Sequence, residues 1–542
     1  LRIAGHIIDI ALKEIYPGEI EIGDGVIRSV QLKTNVPDQY ILPGFIDAHV
    51  HIESSMLVPS EFARMAVVHG TVATVSDPHE IANVLGVEGV EYMIANGSKV
   101  PFKFFFGAPS CVPATGFETA GASIGPMGVG YLLEKPEVKY LAEMMNWPGV
   151  LHGDPDVFAK IAAAKKMNKV VDGHAPGLKG EEAKKYASAG ITTDHECFTE
   201  EEARTKLQCG MKIIIREGSA AKNFDALVGL LHDHSDHMMF CSDDKHPDSL
   251  EEGHINVLVK RAIEAGVDPF KVLKAACINP IDHYNLDVGK LRVGDPADFI
   301  VVKDLIDFSV LNTFIRGQLV AENGQTLIGR VKNDIVNKFR KRHLAIGDLD
   351  VKATSSRIRV IEAKDSQLIT GEILADARIA NGNVVSDIHS DTLKIAVINR
   401  YEYAPPAVGF IRNFGFKSGA IASSVAHDSH NVIVVGADDG SMIRAANLVM
   451  GSEGGVAAVD GKNEMMLALP VGGLMSVEDG YEVSKKYKMI DRMAKEMGSG
   501  LSAPFMTLSF MALLVIPSLK LSDKGLFNGS LFEFSNLFVG DH

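Results

Sequence analysis

The sequence predicts an α/β protein: a distorted (β/α)8 barrel of the TIM-like kind, with a small β-sandwich domain and an additional C-terminal α+β domain. Three observations carry this expectation. Between Ile41 and Ala265, short apolar runs recur eight times, all but the third giving way to a helix-like stretch, the count and size of a closed parallel barrel. Most of these runs end in polar residues able to do chemistry. Outside that interval the rhythm changes, to short alternating strands before it and a mixed pattern after it.

Residues 1–42 alternate apolar and polar around turns such as Gly23-Asp24-Gly25, as antiparallel strands do. The barrel strands are expected at Ile41–His51, Thr71–Asp77, Lys103–Pro109, Val138–Met145, Lys169–His174, Ile191–Glu196, Met211–Glu217 and His237–Asp244. Helices are expected near Ser60–His69, Glu80–Asn96, Asp156–Met167, Gly180–Ala189, Glu200–Cys209, Asn223–His232 and His254–Ala265, with a Gly/Pro-rich loop after the third strand and a turn at Trp147-Pro148-Gly149. Gly294-Asp295-Pro296-Ala297-Asp298 then turns into an apolar strand at Phe299–Lys303 that can rejoin the N-terminal strands. The basic stretch 330–350 reads as a linker or boundary helix. The expected divisions are 1–42 with 284–330 for the sandwich, 43–283 for the barrel and 345–542 for the C-terminal domain.

Composition narrows the function classes. The chain has 542 residues, 46% hydrophobic and 23% charged, as in a soluble globular protein of several domains. A net charge of −15 with no basic stripe argues against nucleic-acid binding. The apolar stretch Phe505–Leu519 is interrupted by Ser509 and Pro517 and too short to span a bilayer, so no membrane association is expected. The five cysteines form no C-x-x-C pair, and the first residues carry Arg2, His6 and Asp9 rather than a secretory leader. A reducing, cytoplasmic setting and a homo-oligomer are expected.

Barrel sites lie where the strands end, and here the run ends carry metal-binding residue types. The first ends His49-Val50-His51, whose alternation sends both imidazoles to one side. The fourth carries Glu143, the fifth ends at His174, the sixth at Asp194-His195-Glu196 and the eighth at Asp243-Asp244. A lone His at a strand end is usually an ordinary polar residue. The coincidence of His49, His51, Glu143, His174, His195 and Asp243 on five strands is what points to metal. Six ligands suit two divalent ions roughly 3.5–4 Å apart sharing a hydroxide. Imidazole and carboxylate without thiolate fit Mn, Fe(II) or Zn.

The residues also resemble the amidohydrolase superfamily, through Pro43-Gly44-Phe45-Ile46-Asp47-Ala48-His49-Val50-His51 and the Gly294-Asp295-Pro296-Ala297-Asp298 return. Within it they are similar to the adenine deaminases of bacteria and archaea. That likeness runs through His51-Ile52-Glu53-Ser54-Ser55-Met56, Ser76-Asp77-Pro78-His79-Glu80-Ile81, Leu141-Ala142-Glu143-Met144-Met145, Asp172-Gly173-His174-Ala175-Pro176-Gly177, Ile215-Arg216-Glu217-Gly218-Ser219-Ala220, Cys241-Ser242-Asp243-Asp244, Glu252-Gly253-His254-Ile255 and Val425-Ala426-His427-Asp428-Ser429-His430-Asn431. Many superfamily members bridge their metals with a carboxylated lysine on the fourth strand; here Glu143 stands there. The resemblance implies a pair of divalent metals, Mn2+ or Fe2+ with Zn2+ as an alternative. It also implies a C–N hydrolase of purine salvage and adenine catabolism, converting adenine to hypoxanthine and ammonia by a metal-bridging hydroxide.

On that reading Asp243 moves the proton of the attacking hydroxide to the leaving amine, with Glu53 and Glu217 as further catalytic candidates. His79, Glu80, Glu196, Asp244, His254 and Ser219 are candidates for touching the purine or for orienting metal-bound groups. For His254 a solvent-facing position early in a helix is an equal alternative. For Arg216, a buried ion pair is as plausible as substrate contact. For His427, Asp428 and His430, a polar turn stands against a further ion or a closure over the barrel mouth. Two other functions remain in view: a cyclic amidohydrolase of the hydantoinase or dihydroorotase kind, and a degenerate barrel that only binds a nucleobase.

Overall fold

The computed structural model describes residues 1–540. Its centre is a ring of parallel strands in two arcs. Five strands, Phe45–Val50, Thr71–Ser76, Lys103–Ala108, Val138–Met144 and Val170–Gly173, form the first arc, and Thr193–Asp194, Lys212–Arg216 and Met238–Cys241 form the second. Single parallel bridges, Val171 to Ile191 and Val50 to Asp243, join the arcs. These two thin seams are the distortion of the barrel. The second seam also brings Asp243 beside the end of the first strand, where His51 N–H donates to the Asp243 carbonyl at 3.3 Å. Strands such as Thr71–Ser76 are buried along their whole length, which is why they read as continuous apolar runs.

Several connections depart from the sequence expectation. The helix expected over Glu80–Asn96 is two helices, His79–Leu85 and Val87–Gly97, broken at Gly86, whose φ of 66° a side chain would strain. The helix expected over Asn223–His232 is a chain of short turns that includes Phe224–Leu227 and Leu231–His234. Trp147-Pro148-Gly149, expected as a turn, opens a short helix at Trp147–His152. Asn146 caps it by accepting from Gly149 N–H at 2.9 Å, and Pro148 fits its first turn. The stretch expected as a linker or boundary helix holds no helix, and residues 327–345 run as an extended strap. Its polar side chains bond sideways instead of forming a helical stripe. Arg330 pairs with Glu61 at 3.0 Å, and Asn333 accepts from Asn96 at 2.7 Å and Ser60 at 3.1 Å.

The strands expected to make a sandwich form one continuous eight-stranded sheet, in which Tyr40–Pro43 lies antiparallel to Phe299–Val302. The sheet closes on a core of Ile7, Ile20, Ile22, Ile41, Phe299 and Phe314. The C-terminal region is built on a nine-stranded mixed sheet buried on both faces. In its strand Leu393–Ile398 the alternation divides the faces. Ala396 and Ile398 meet the helix Asp439–Gly451, whereas Leu393, Ile395 and Val397 belong to the same apolar core as the barrel. That shared core holds the loop between strands Ala420–Ser423 and Val432–Gly436 against the barrel mouth. The segment Phe505–Leu519 is buried, beginning in the helix Pro504–Phe510. Among the described residues, no helix is long and apolar enough to cross a membrane, and all five cysteines are unpaired.

Candidate active site

The strand ends converge as their order requires. His49 and His51 leave the first strand with their Nε2 atoms 3.2 Å apart. Asp243 Oδ1 lies 3.4 Å from His49 Nε2 and 3.2 Å from His51 Nε2, and Glu143 Oε1 lies 3.4 Å from His51 Nε2. On the other side Glu143 Oε2 meets His174 Nδ1 at 2.7 Å and His195 Nε2 at 3.2 Å. All six residues are buried. Their atoms fall into three overlapping groups, each within 4.8 Å: His51, Asp77, His79 and Glu143; His49, His195 and Asp243; and Glu143, His174 and His195. Glu143 belongs to two of them, one oxygen to each side.

Two buried imidazole nitrogens facing each other beside two carboxylates is the arrangement a cation relieves, and this donor set is one that divalent metals take. Burial pushes the Glu143 carboxyl up, and the His174 and His195 imidazoles reverse that, leaving it well below the usual carboxylate range. Burial acts the same way on Asp243, and the Arg216 guanidinium reverses it. Arg216 donates to Asp243 Oδ2 at 2.8 Å and grips Glu196 with both Nη atoms, one of them at 3.1 Å. Behind the cluster Asp47 accepts from Ser242 N–H at 3.0 Å and pairs with His254 Nε2 at 2.8 Å, which ties the first strand to the eighth.

A roof closes the mouth. The Glu80 carboxylate bonds both His427 Nδ1 and His430 Nε2 from the C-terminal region. His79 Nε2 lies 3.3 Å from Glu80 and 3.6 Å from Asp428. Leu368, Phe510 and Leu513 complete an apolar side, and the cavity left above the cluster is about 20 Å³.

Comparison with known proteins places this architecture. Residues 40–320 match the amidohydrolase family and residues 367–533 match the adenine deaminase C-terminal domain. An adenine deaminase of Salinibacter ruber is 57% identical over 99% of both chains. One from Sulfurovum is 54% identical over 98% of this chain and 99% of its own, and one from Methanosarcina mazei is 50% identical over 99% of each. The chain belongs to the adenine deaminase family of amidohydrolases. Amidohydrolases are metal-dependent, and the cluster has the donors a metal takes.

Against this adenine deaminase framework, the structure brings together most of the residues singled out from the sequence. His79, Glu80, Glu196 and Asp244 line the cavity with the six donors, except that His49 lies beneath it. Asp244 accepts from Ser54 Oγ at 2.5 Å and lies 3.9 Å from His427. Glu53 sits just behind Glu80, accepting from Ile81 N–H at 3.1 Å, and burial pushes its carboxyl up to about 7.

Others stand apart. Strand seven stops at Arg216, so Arg216 takes the inward position and Glu217 does not line the cavity. Glu217 instead pairs with Arg261 at 2.7 Å. Ser219 accepts from His246 N–H at 2.8 Å and donates to Ser249, away from the cluster. His254 is fully buried rather than solvent-facing, and it acts on the cluster only through Asp47.

Three groups went unread in the sequence. Asp77 was not singled out, although Asp77-Pro78-His79 ends the second run much as other runs end in site residues. Asp47 shares the strand face of His49 and His51, but its partner lies 195 residues away, and the Glu80 partnership of the C-terminal histidines spans 347 residues and carries no local signal.

Proposed function

We propose that this site hydrolyses adenine to hypoxanthine and ammonia with a pair of divalent metals, Mn2+ or Fe2+ foremost and Zn2+ as an alternative. The proposed ligands are His49, His51, Glu143, His174, His195 and Asp243. The observation that carries the reading is Glu143 with one oxygen toward His51 and the other toward His174 and His195. Such a carboxylate would hold two ions, one through each oxygen, without chemical modification. Bound divalent metal supplies Lewis acidity and lowers the pKa of water toward neutrality.

The chain's own groups do the rest. Arg216 holds Asp243 ionised and fixes its Oδ2, which places the carboxylate, with Oδ1 toward His49 and His51, to accept the proton of the attacking water. Asp243 then returns that proton to the departing amino group at C6. Charge moves into the purine ring as C6 becomes tetrahedral, so a ring nitrogen needs a donor. His79 fits this role. Burial pushes its imidazole down, but Asp77 and Glu80 reverse that and hold it well above its ordinary value. Glu196 keeps Arg216 in place. The roof excludes bulk water, which strengthens each of these interactions.

The test is turnover by protein loaded with Mn2+ or Fe2+, following ammonia release and conversion of adenine to hypoxanthine by ultraviolet absorbance. Ring opening of hydantoin or dihydroorotate is the control. Absence of adenine turnover in metal-replete protein, or preference for a cyclic amide, overturns the reading.

A further inference from the structure

The roof holds two polar atoms that the catalytic proposal does not use. Asp428 Oδ2 and His427 Nε2 are both buried, on residues 3% exposed, and neither has a hydrogen-bond partner. Such orphans cost on the order of 1–3 kcal/mol each unless something meets them. Both residues line the cavity above the metal ligands. Their positions are fixed from behind. His427 Nδ1 is held by Glu80, His430 holds the other Glu80 oxygen, and Arg400 donates to the His430 carbonyl at 3.3 Å. Tyr401 Oη donates to the Ser429 carbonyl at 2.6 Å, and Asn431 donates to the Thr119 carbonyl at 2.9 Å. A loop anchored at four points does not tolerate loose polar ends by accident of flexibility.

The cavity's size and charge say what meets them. With about 20 Å³ free, room for one or two waters and not for a purine, a base can enter over the cluster only by displacing the roof, which brings it against Asp428 and His427. The lining holds no Lys or Arg among the described residues, while Glu80, Asp244 and Asp428 supply carboxylates. A phosphate is repelled there, and an N–H is welcomed.

We infer that Asp428 and His427 read the imidazole edge of the purine. Asp428 Oδ2 accepts the ring N–H, and His427 Nε2 meets the neighbouring ring nitrogen. The C-terminal loop thereby selects the free base over purines substituted at N9, such as nucleosides. This rests on the deaminase reading and adds a specificity-determining role for residues outside the barrel. A site built to bond a substrate N–H rejects the analogue lacking it, because the carboxylate is left buried and unpaired.

The test compares inhibition of the metal-loaded enzyme by hypoxanthine and by 9-methylhypoxanthine. The wild type should favour hypoxanthine by about 30-fold or more, the worth of a hydrogen bond to a buried charge. Asp428→Ala should shrink that ratio to about 3-fold and raise KM for adenine about 10-fold, with kcat changed less. Asp428→Asn, which keeps an acceptor oxygen, should lie between. A merely structural role weakens both inhibitors equally and leaves the ratio at its wild-type value; that result in a folded Asp428→Ala, or in Asp428→Asn if the alanine variant does not fold, overturns the inference. Failure of the wild type to deaminate adenine instead overturns the deaminase reading itself.

Discussion

Two buried polar clusters face each other across the barrel mouth, and they are made differently. The lower one draws His49, His51, Glu143, His174, His195 and Asp243 from the ends of strands whose spacing the parallel ring fixes. The upper one joins Glu80, in the first turn of a short helix, to His427 and His430 on a loop of another sheet. The lower cluster is a set of donors suited to a metal cation. The upper one is largely satisfied within itself, except for Asp428 Oδ2 and His427 Nε2, which have no partner on residues that line the cavity. The difference separates chemistry from recognition: strand ends give the rigid placement that metal ligation needs, and a docked loop gives a surface that shapes what enters.

The largest expected effect comes from breaking the lower cluster. Glu143→Gln should lose metal, measured by elemental analysis, and cut kcat by about 1000-fold or more, since metal assistance contributes several kcal/mol. Chelation should do the same to the wild type, and added Mn2+ or Fe2+ should restore it. Retention of full metal content by Glu143→Gln would move the bridging role elsewhere.

Next is the support of that cluster. Arg216→Met leaves Glu196 and Asp243 buried without their cation, so denaturant unfolding should show a loss of about 3–5 kcal/mol. A change within error of zero would mean that the metal alone compensates these carboxylates.

The upper cluster should respond more gently. Glu80→Gln frees His427 and His430, and KM for adenine should rise about 10-fold while metal content stays at the wild-type level. Loss of metal in this variant would erase the distinction between the two clusters.

A last effect is on stability against pH; it arises outside both clusters and leaves catalysis near neutral pH untouched. Burial, with His254 nearby, pushes the His69 imidazole down to about 4, and burial with Lys212 nearby pushes His283 down to about 3. Both are neutral in the folded protein, whereas in the unfolded chain they protonate near 6.5. As pH falls below about 6.5 the unfolded chain binds protons first, so stability drops by about 1.4 kcal/mol per pH unit for each histidine, until the folded values are reached. Above pH 6.5 the pair contributes no slope. Melting temperatures of the wild type and of His69→Gln across pH 4.5–7.5 would check this, the variant having the shallower acid limb.

Much of this molecule was legible in the sequence because barrel strands write their chemistry locally. An apolar run buried along its length, ending in His-Val-His or Ser-Asp-Asp, states both the strand and the site, since residues two apart share a face. The eight runs follow from burial along the strand, and the six proposed donors from the places where the runs end. The errors also have physical causes. Strand seven ends at Arg216, one residue earlier than its run, and by alternation Arg216 turns in toward Asp243 and Glu196 while Glu217 turns away to Arg261. The strap at 327–345 carries helix-prone charges, yet its partners lie on the barrel and the C-terminal region, and these override local preference.

What the sequence determined by itself was the ring of parallel strands, the donors at their ends and the metal chemistry those donors suit, because each depends on neighbours a few residues apart. What only the tertiary structure decided was the roof. Glu80, His427, Asp428 and His430 become one cluster through the apolar core shared by Ile395, Val397 and the barrel. Contacts between residues hundreds of positions apart leave no periodicity to read, so their meeting is fixed by packing alone.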